Sequence, residues 1–89
     1  MKYVSIQVSG RVQGVFFRAS AKKKADELHI KGKVWNNEHG GVSIEAQGEE
    51  QNLEEFITWC QKGPKLARVD RCEINEGLSQ HFDGFTIER

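Results

Sequence analysis

The chain has 89 residues, which is enough for one compact domain and too few for two. Its 13 basic residues balance its 13 acidic residues, and this neutrality argues against a general nucleic-acid-binding surface. No apolar run approaches the roughly 20 residues of a membrane-spanning helix, and Met1 to Ser9 lacks the apolar block of a secretory signal. We therefore expect one domain over residues 1–89, in a soluble, cytoplasmic protein with no membrane partner.

The first 28 residues change from a two-residue period to a helical period. Apolar and polar residues alternate from Val4 to Ser9, which predicts a strand with one buried face. The glycine-bearing segment 10–14 breaks this pattern. From Phe17 to Leu28 apolar residues recur at steps of four, four and three, which predicts a helix that begins near Phe17.

The middle of the chain predicts a hairpin followed by a second helix. Residues 34–36 and 42–47 have strand character and flank a turn that contains Gly40 and Gly41. The apolar spacing i, i+3, i+4, i+7 between Leu53 and Cys60 is the strongest helical signal in the chain. Gly63-Pro64 ends this helix, because glycine suits the helix C-cap and proline cannot continue a helix.

The last part of the chain predicts two further strands. Val69 begins the first, but Cys72 and Ile74 have the opposite parity, and a bulge or bend near Asp70-Arg71 would reconcile them. Phe85 to Ile87 indicates a short final strand. The element order is that of an α+β, ferredoxin-like α/β sandwich, βαββαβ plus a short extra strand, with an antiparallel sheet and two helices on one face. This fold carries many functions, so it does not define the chemistry.

A candidate anion site lies where the first strand ends and the first helix begins, between Gly10 and Arg18. Backbone N–H groups at a helix start lack intrahelical partners and bind anions well, and glycine lets the backbone curl around a ligand. The Arg18 guanidinium can hold two oxygens of a phosphate or carboxylate. An ordinary exposed arginine beside an ordinary loop is the competing interpretation. The Walker pattern GxxxxGK[ST] is absent, so a nucleoside triphosphate is not indicated.

Two sequence blocks resemble the acylphosphatase family. The run from Val8 to Arg18, VSGRVQGVFFR, is similar to the family's first signature. The second block matches the spacing of the family's second signature at Gly32, Val34, Asn36, Gly40, Val42 and Gly48. Within this block two residues depart from the family pattern. Lys33 stands where the family commonly has an aromatic residue, and Trp35 stands where it commonly has a basic or polar one.

The resemblance implies a metal-independent hydrolase, an acylphosphate phosphohydrolase, that cleaves an acyl phosphate to a carboxylate and inorganic phosphate without a cofactor. By resemblance, Arg18 would bind the phosphoryl oxygens, Asn36 would hold the attacking water, and a substrate phosphate oxygen would take the proton. Without the motif, asparagine before a glycine-containing turn is usually a turn former, and Asn37 fits that role better. The phosphate-binding backbone would comprise Gly14, Val15, Phe16, Phe17 and Arg18.

Two other functions compete with this one. A non-catalytic anion-binding or regulatory module would keep the loop without turnover. An RNA-binding ferredoxin-like domain would carry exposed aromatic and basic residues on its strands, but the chain has no RNP1-like run and no net charge. A free-standing chain of this length argues against a fused carbamoyl-phosphate-handling domain. The sequence does not distinguish acyl phosphates, carbamoyl phosphate and phosphorylated protein carboxylates as substrates.

The remaining reactive side chains are not arranged as a site. The three histidines are scattered without ligand spacing, so no metal is expected. Cys60 and Cys72 form no CxxC pattern and are interpreted as reduced apolar residues, although their pairing stays open. Trp35 is either a surface strand residue or a lid over the pocket. We expect a monomer with no nucleic-acid partner.

Overall fold

The computed structural model describes residues 1–89 and contains five strands and two helices in the order βαββαββ. This confirms the predicted element order, including the extra strand. No helix is long and apolar enough to span a bilayer. The elements are β1 (Lys2–Arg11), α1 (Phe17–Glu27), β2 (Lys31–Asn36), β3 (Val42–Gly48), α2 (Glu50–Lys62), β4 (Arg68–Gly77) and β5 (Phe85–Glu88).

The five strands form one sheet in the order β4-β1-β3-β2-β5. The first four strands pair antiparallel, as predicted, but β5 pairs parallel with β2, so the sheet is mixed. The reason is the path of residues 78–84, which cross the face opposite the helices. There Gln80 exchanges two hydrogen bonds with Gln47, and Phe82 stacks on Tyr3. The chain therefore reaches the far edge of the sheet running in the direction of β2.

A bulge in β4 corrects the parity change that the sequence shows there. Ser9 pairs with Arg71 and Gly10 pairs with Val69, so Asp70 has no partner in β1. The predicted bulge near Asp70-Arg71 is thus confirmed. Gly10 has φ +127° and lies so close to β4 that a Cβ would overlap backbone atoms of that strand. The end of β1, from which the candidate loop departs, is held tightly against β4.

The core lies between one face of the sheet and both helices. It is a cluster of 17 buried residues, and its members on each helix follow the spacing that predicted the helices. Burial of each large apolar side chain stabilises the fold by about 1.5–3 kcal/mol. Both cysteines are free, and burial raises the pKa of the Cys60 thiol. The helix residues in the cluster are Phe17, Ala21 and Ala25 of α1, and Leu53, Phe56 and Cys60 of α2.

Candidate active site

The loop between β1 and α1 has an unusual backbone. Gly14 has φ +73°, and Phe16, the N-cap of α1, has φ 66° and ψ 23°. The left-handed conformation costs a non-glycine residue roughly 1–2 kcal/mol, so the surrounding structure holds Phe16 against this strain. Left-handed residues interspersed in a loop are typical of the concave backbone segments that bind anions.

The backbone N–H groups of this loop have no acceptors within the protein. The first N–H of α1 to find one is that of Ser20, which donates to the carbonyl of Phe16 at 3.0 Å. The six N–H groups of residues 14–19 donate neither to backbone carbonyls nor to side chains. In addition, α1 has no acidic residue in its first turn and no side-chain cap. The positive end of this helix is therefore available to an anion.

Arg18 lies in the first turn of α1 and is half-buried. One of its guanidinium nitrogens donates to the carbonyl of Glu88 at 3.4 Å, and no carboxylate lies within ion-pair distance of it. The contact to β5 directs the side chain without neutralising it. The guanidinium thus keeps its charge and most of its donors for a ligand.

A cavity of about 310 Å³ brings the predicted site residues together. Its volume is at the lower end of the range for small-molecule sites. Val15, the remaining member of the predicted phosphate-binding segment, is buried in the core with 5% exposure, so it contributes to the loop only its backbone. Among the lining residues are Gly14, Phe16, Phe17 and Arg18 of the predicted segment, with Asn36, Ile87 and Arg89.

Asn36 and Asn37 differ in what their side chains do. Asn36 is the last residue of β2, lines the cavity, and makes no side-chain hydrogen bond within the protein. The Asn37 carbonyl oxygen Oδ1 accepts from the N–H groups of His39 and Gly41, both at 3.0 Å. Its Nδ2 donates to the Ser43 hydroxyl at 3.1 Å. Asn37 is thus the turn residue, as the sequence predicted, and Asn36 has its amide free at the cavity.

Gln13 connects the loop to the hairpin, a role that the sequence did not indicate. Its Nε2 donates to the carbonyls of Asn37 at 3.0 Å and Gly41 at 2.9 Å. A long amide inside a glycine-bearing loop gives no signal of its partner from sequence. Ile87 and Arg89 were also missed as cavity residues, because a four-residue strand does not reveal which neighbour it pairs with.

The two departures from the family pattern lie on the other face of the sheet. Lys33 and Trp35 alternate with Val34, which is in the core. The Lys33 ammonium lies 5.4 Å from the centroid of the Trp35 ring and 3.4 Å from a Glu45 carboxylate oxygen. Neither side chain lines the cavity. Trp35 is therefore a surface strand residue and not a lid over the pocket.

No group of three or more histidine, cysteine, aspartate or glutamate side chains is placed to hold a metal ion. The ferredoxin-like sandwich and its loop of free N–H groups beside an arginine define a small α+β protein with donors for an anion at a helix start. A family model described as acylphosphatase matches residues 4–87. The chain belongs to the acylphosphatase family, as its two sequence blocks predicted.

Individual relatives agree with this assignment. An acylphosphatase from Methylococcus capsulatus is 41% identical over 90 residues, covering 100% of this chain and 98% of the relative. One from Legionella pneumophila strain Corby is 60% identical over 65 residues, or 73% of this chain and 71% of the relative. The structure of an acylphosphatase from Coxiella burnetii superposes with a TM-score of 0.94 at 37% identity, covering 98% of this chain and 92% of the other.

Proposed function

We propose that the protein hydrolyses the carboxyl–phosphate bond of small acyl phosphates in the cavity that Arg18 and Asn36 line. Membership of the acylphosphatase family supports the reaction, and the site supports the roles of the residues. The observation that carries this assignment is that one cavity is lined by an arginine without an ion-pair partner, by an amide without a hydrogen bond, and by a loop whose N–H groups lack acceptors. The non-catalytic module is not favoured, because the curated relatives are named as the enzyme.

The phosphate binds at the loop and helix start. The backbone N–H groups of Gly14 to Arg18 donate to its oxygens, and the Arg18 guanidinium holds two of them and neutralises charge. This arrangement suits phosphoryl transfer, in which catalysis depends mainly on positioning and electrostatic stabilisation. The acyl group extends towards Ile87 and towards Phe16, a residue that is 73% exposed. An apolar acyl group therefore fits the outer part of the cavity.

The attacking water is held by the side-chain amide of Asn36. The water oxygen forms a bond to phosphorus, the bond from phosphorus to the acyl oxygen breaks, and the carboxylate leaves with the electron pair. The charged side chains that line the cavity are Arg18 and Arg89, and a guanidinium is a donor without acceptor capacity. A phosphate oxygen of the substrate therefore takes the water proton. This weak base is sufficient because the carboxylate is a good leaving group.

Hydrolysis of benzoyl phosphate without added metal tests the proposal. The wild type is expected to turn over and to be inhibited by inorganic phosphate, with no change when a chelator is added. Arg18→Gln is expected to lose phosphate inhibition, and Asn36→Ala to lose turnover. Phosphate binding without turnover in the wild type would instead establish the anion-binding module.

We infer further that residues 1–89 form one domain that acts as a cytoplasmic monomer. The single buried cluster, to which both helices and the sheet contribute, supports one domain. Sedimentation at micromolar concentration tests the monomer, and a species of twice the mass would contradict it. Fractionation of source cells tests the compartment.

A further inference from the structure

We infer that Gln13 is a positioning residue whose side-chain amide sets the distance between the phosphate-binding loop and Asn36. The inference rests on the proposed function, since it assigns Gln13 to the alignment of the two halves of that site. Gln13 immediately precedes Gly14, where the phosphate-binding segment begins. Its two acceptors lie in the turn that immediately follows Asn36.

The two hydrogen bonds use both donors of the amide. Nε2 donates to the Asn37 carbonyl at 3.0 Å and to the Gly41 carbonyl at 2.9 Å, across 24 and 28 residues of sequence. These acceptors lie at the two ends of one turn, which is itself closed by a bond from the Asn37 N–H to the Gly41 carbonyl at 3.0 Å. Gln13 is thus attached to a closed turn and not to a flexible segment.

The two bonds from Gln13 are the hydrogen bonds that join the loop, residues 12–16, to the turn, residues 37–41. No backbone hydrogen bond links residues 12–16 to residues 37–41. Val12 and Val15 anchor the loop in the core, whereas Gly14, with φ +73° and no atom within 4 Å of the place a Cβ would take, lets the backbone between them adjust. Loss of the Gln13 amide would leave the loop anchored by its buried side chains but without a hydrogen bond to the turn that follows Asn36, so a small displacement between the loop and Asn36 becomes possible.

The consequence for catalysis follows from the division of roles. Phosphate is bound by the loop and Arg18, whereas the water is held from β2. A displacement of one half relative to the other therefore impairs the approach of water to phosphorus more than it impairs phosphate binding. Misplacement by about 1 Å can lower a rate by on the order of 100-fold.

The primary experiment compares Gln13→Ala with Gln47→Ala. Gln47 is a matched control, because its amide also makes two hydrogen bonds to a distant segment, at Gln80, on the sheet face away from the cavity. We expect Gln13→Ala to lower kcat for benzoyl phosphate at least tenfold while the inhibition constant of inorganic phosphate changes less than about threefold. Gln47→Ala should lower thermal stability about as much as Gln13→Ala does and leave kcat unchanged. An unchanged kcat in Gln13→Ala, or an equal fall in kcat in both variants, would overturn the inference.

A double variant tests whether Gln13 acts through Asn36. In the Asn36→Ala background, Gln13→Ala is expected to lower kcat no further, because residues that act as one unit are non-additive. Losses that multiply would contradict the inference. If Asn36→Ala alone has normal turnover, the proposed role of Asn36 fails and Gln13 falls with it. If Asn36→Ala is impaired and Gln13→Ala is normal, only the inference about Gln13 fails.

The isosteric variant Gln13→Glu adds a pH signature. At neutral pH its carboxylate would face two carbonyl oxygens and repel them, whereas the protonated acid can donate one hydrogen bond. We expect the kcat of this variant, relative to wild type, to rise as pH falls from about 8 to about 5. Gln13→Ala should show no such recovery, and the same pH profile in both variants would contradict hydrogen bonding by residue 13.

Discussion

Asn36 and Asn37 are sequence neighbours with opposite hydrogen bonding: the amide of Asn37 makes two hydrogen bonds within the β2–β3 turn and one to β3, whereas that of Asn36 makes none. The difference follows from strand alternation. Asn36 shares the parity of Val34, on the helix side of the sheet, where the cavity lies. The turn that Asn37 closes holds Asn36 at the end of its strand. One residue therefore stabilises the structure while the other is available for chemistry.

Alanine substitution at each position separates these roles. We expect Asn36→Ala to lower kcat for benzoyl phosphate by on the order of 100-fold with little change in stability, because its amide makes no hydrogen bond within the protein and is the group proposed to hold the attacking water. Asn37→Ala should lower the free energy of unfolding by about 2 kcal/mol, since three hydrogen bonds are lost. Steady-state kinetics and urea unfolding measure the two effects. Near-normal turnover in Asn36→Ala with abolished turnover in Asn37→Ala would show that the residues are wrongly assigned.

Much of the fold was predictable because its signals are local. The apolar steps from Phe17 and from Leu53 gave both helices, and the parity change around Asp70 gave the bulge. The parallel pairing of β5 was not predictable, because it depends on how residues 78–84 cross the sheet. That path is determined by contacts distant in sequence, such as the one between Gln80 and Gln47.

The site was predictable to a smaller extent. Arg18 had a physical argument from the sequence, because a forked cation at a helix start suggests an anion. Asn36 depended on the family block, and the free amide at the cavity is visible only in three dimensions. The bonds from Gln13 to the turn span 24 and 28 residues, and no local pattern encodes them.

Replacement of Arg18 is expected to remove activity without loss of stability. Arg18→Gln should lower kcat/KM by on the order of 1000-fold, because two charge-assisted hydrogen bonds are worth about 4 kcal/mol. Its free energy of unfolding should rise by a few tenths of a kcal/mol, roughly, since a cation leaves the positive end of α1. Arg11→Gln is the matched control, because Arg11 is exposed at the end of β1 and does not line the cavity. Equal loss of activity in both variants would indicate that the net charge matters and the clamp does not.

Alanine substitution at Gly14 and at Gly40 distinguishes an effect of backbone strain from an effect on phosphate binding. Gly14 (φ +73°) and Gly40 (φ +85°) both have open space where a Cβ would stand. Alanine at either position should therefore lower the free energy of unfolding by about 1 kcal/mol through strain alone. Only Gly14→Ala should weaken inhibition by inorganic phosphate, by about tenfold, because relaxation there turns the N–H groups of the loop. Calorimetry of phosphate binding measures this, and equal phosphate affinity in the two variants would remove Gly14 from the phosphate site.

The Tyr3 hydroxyl is expected to make the free energy of unfolding fall at alkaline pH. Its hydroxyl donates to a Glu45 carboxylate oxygen at 2.6 Å, and burial together with this bond raises the pKa of Tyr3 from 10.0 to about 12. Because the folded pKa lies above the unfolded one, the neutral phenol is favoured by folding. Its stabilising contribution is complete below pH 10 and is lost as pH rises to about 12.

Tyr3→Phe tests this linkage. At pH 7 the variant should unfold more easily by about 1–2 kcal/mol, because the bond to the carboxylate is lost. The difference from wild type should shrink between pH 10 and about 12, where the wild-type phenol titrates. Urea unfolding of both proteins at several pH values measures the difference, in which contributions common to both proteins cancel. A constant difference across that range would mean that the Tyr3 hydroxyl has the same pKa in the folded and unfolded chains, and that its bond to Glu45 does not hold the proton.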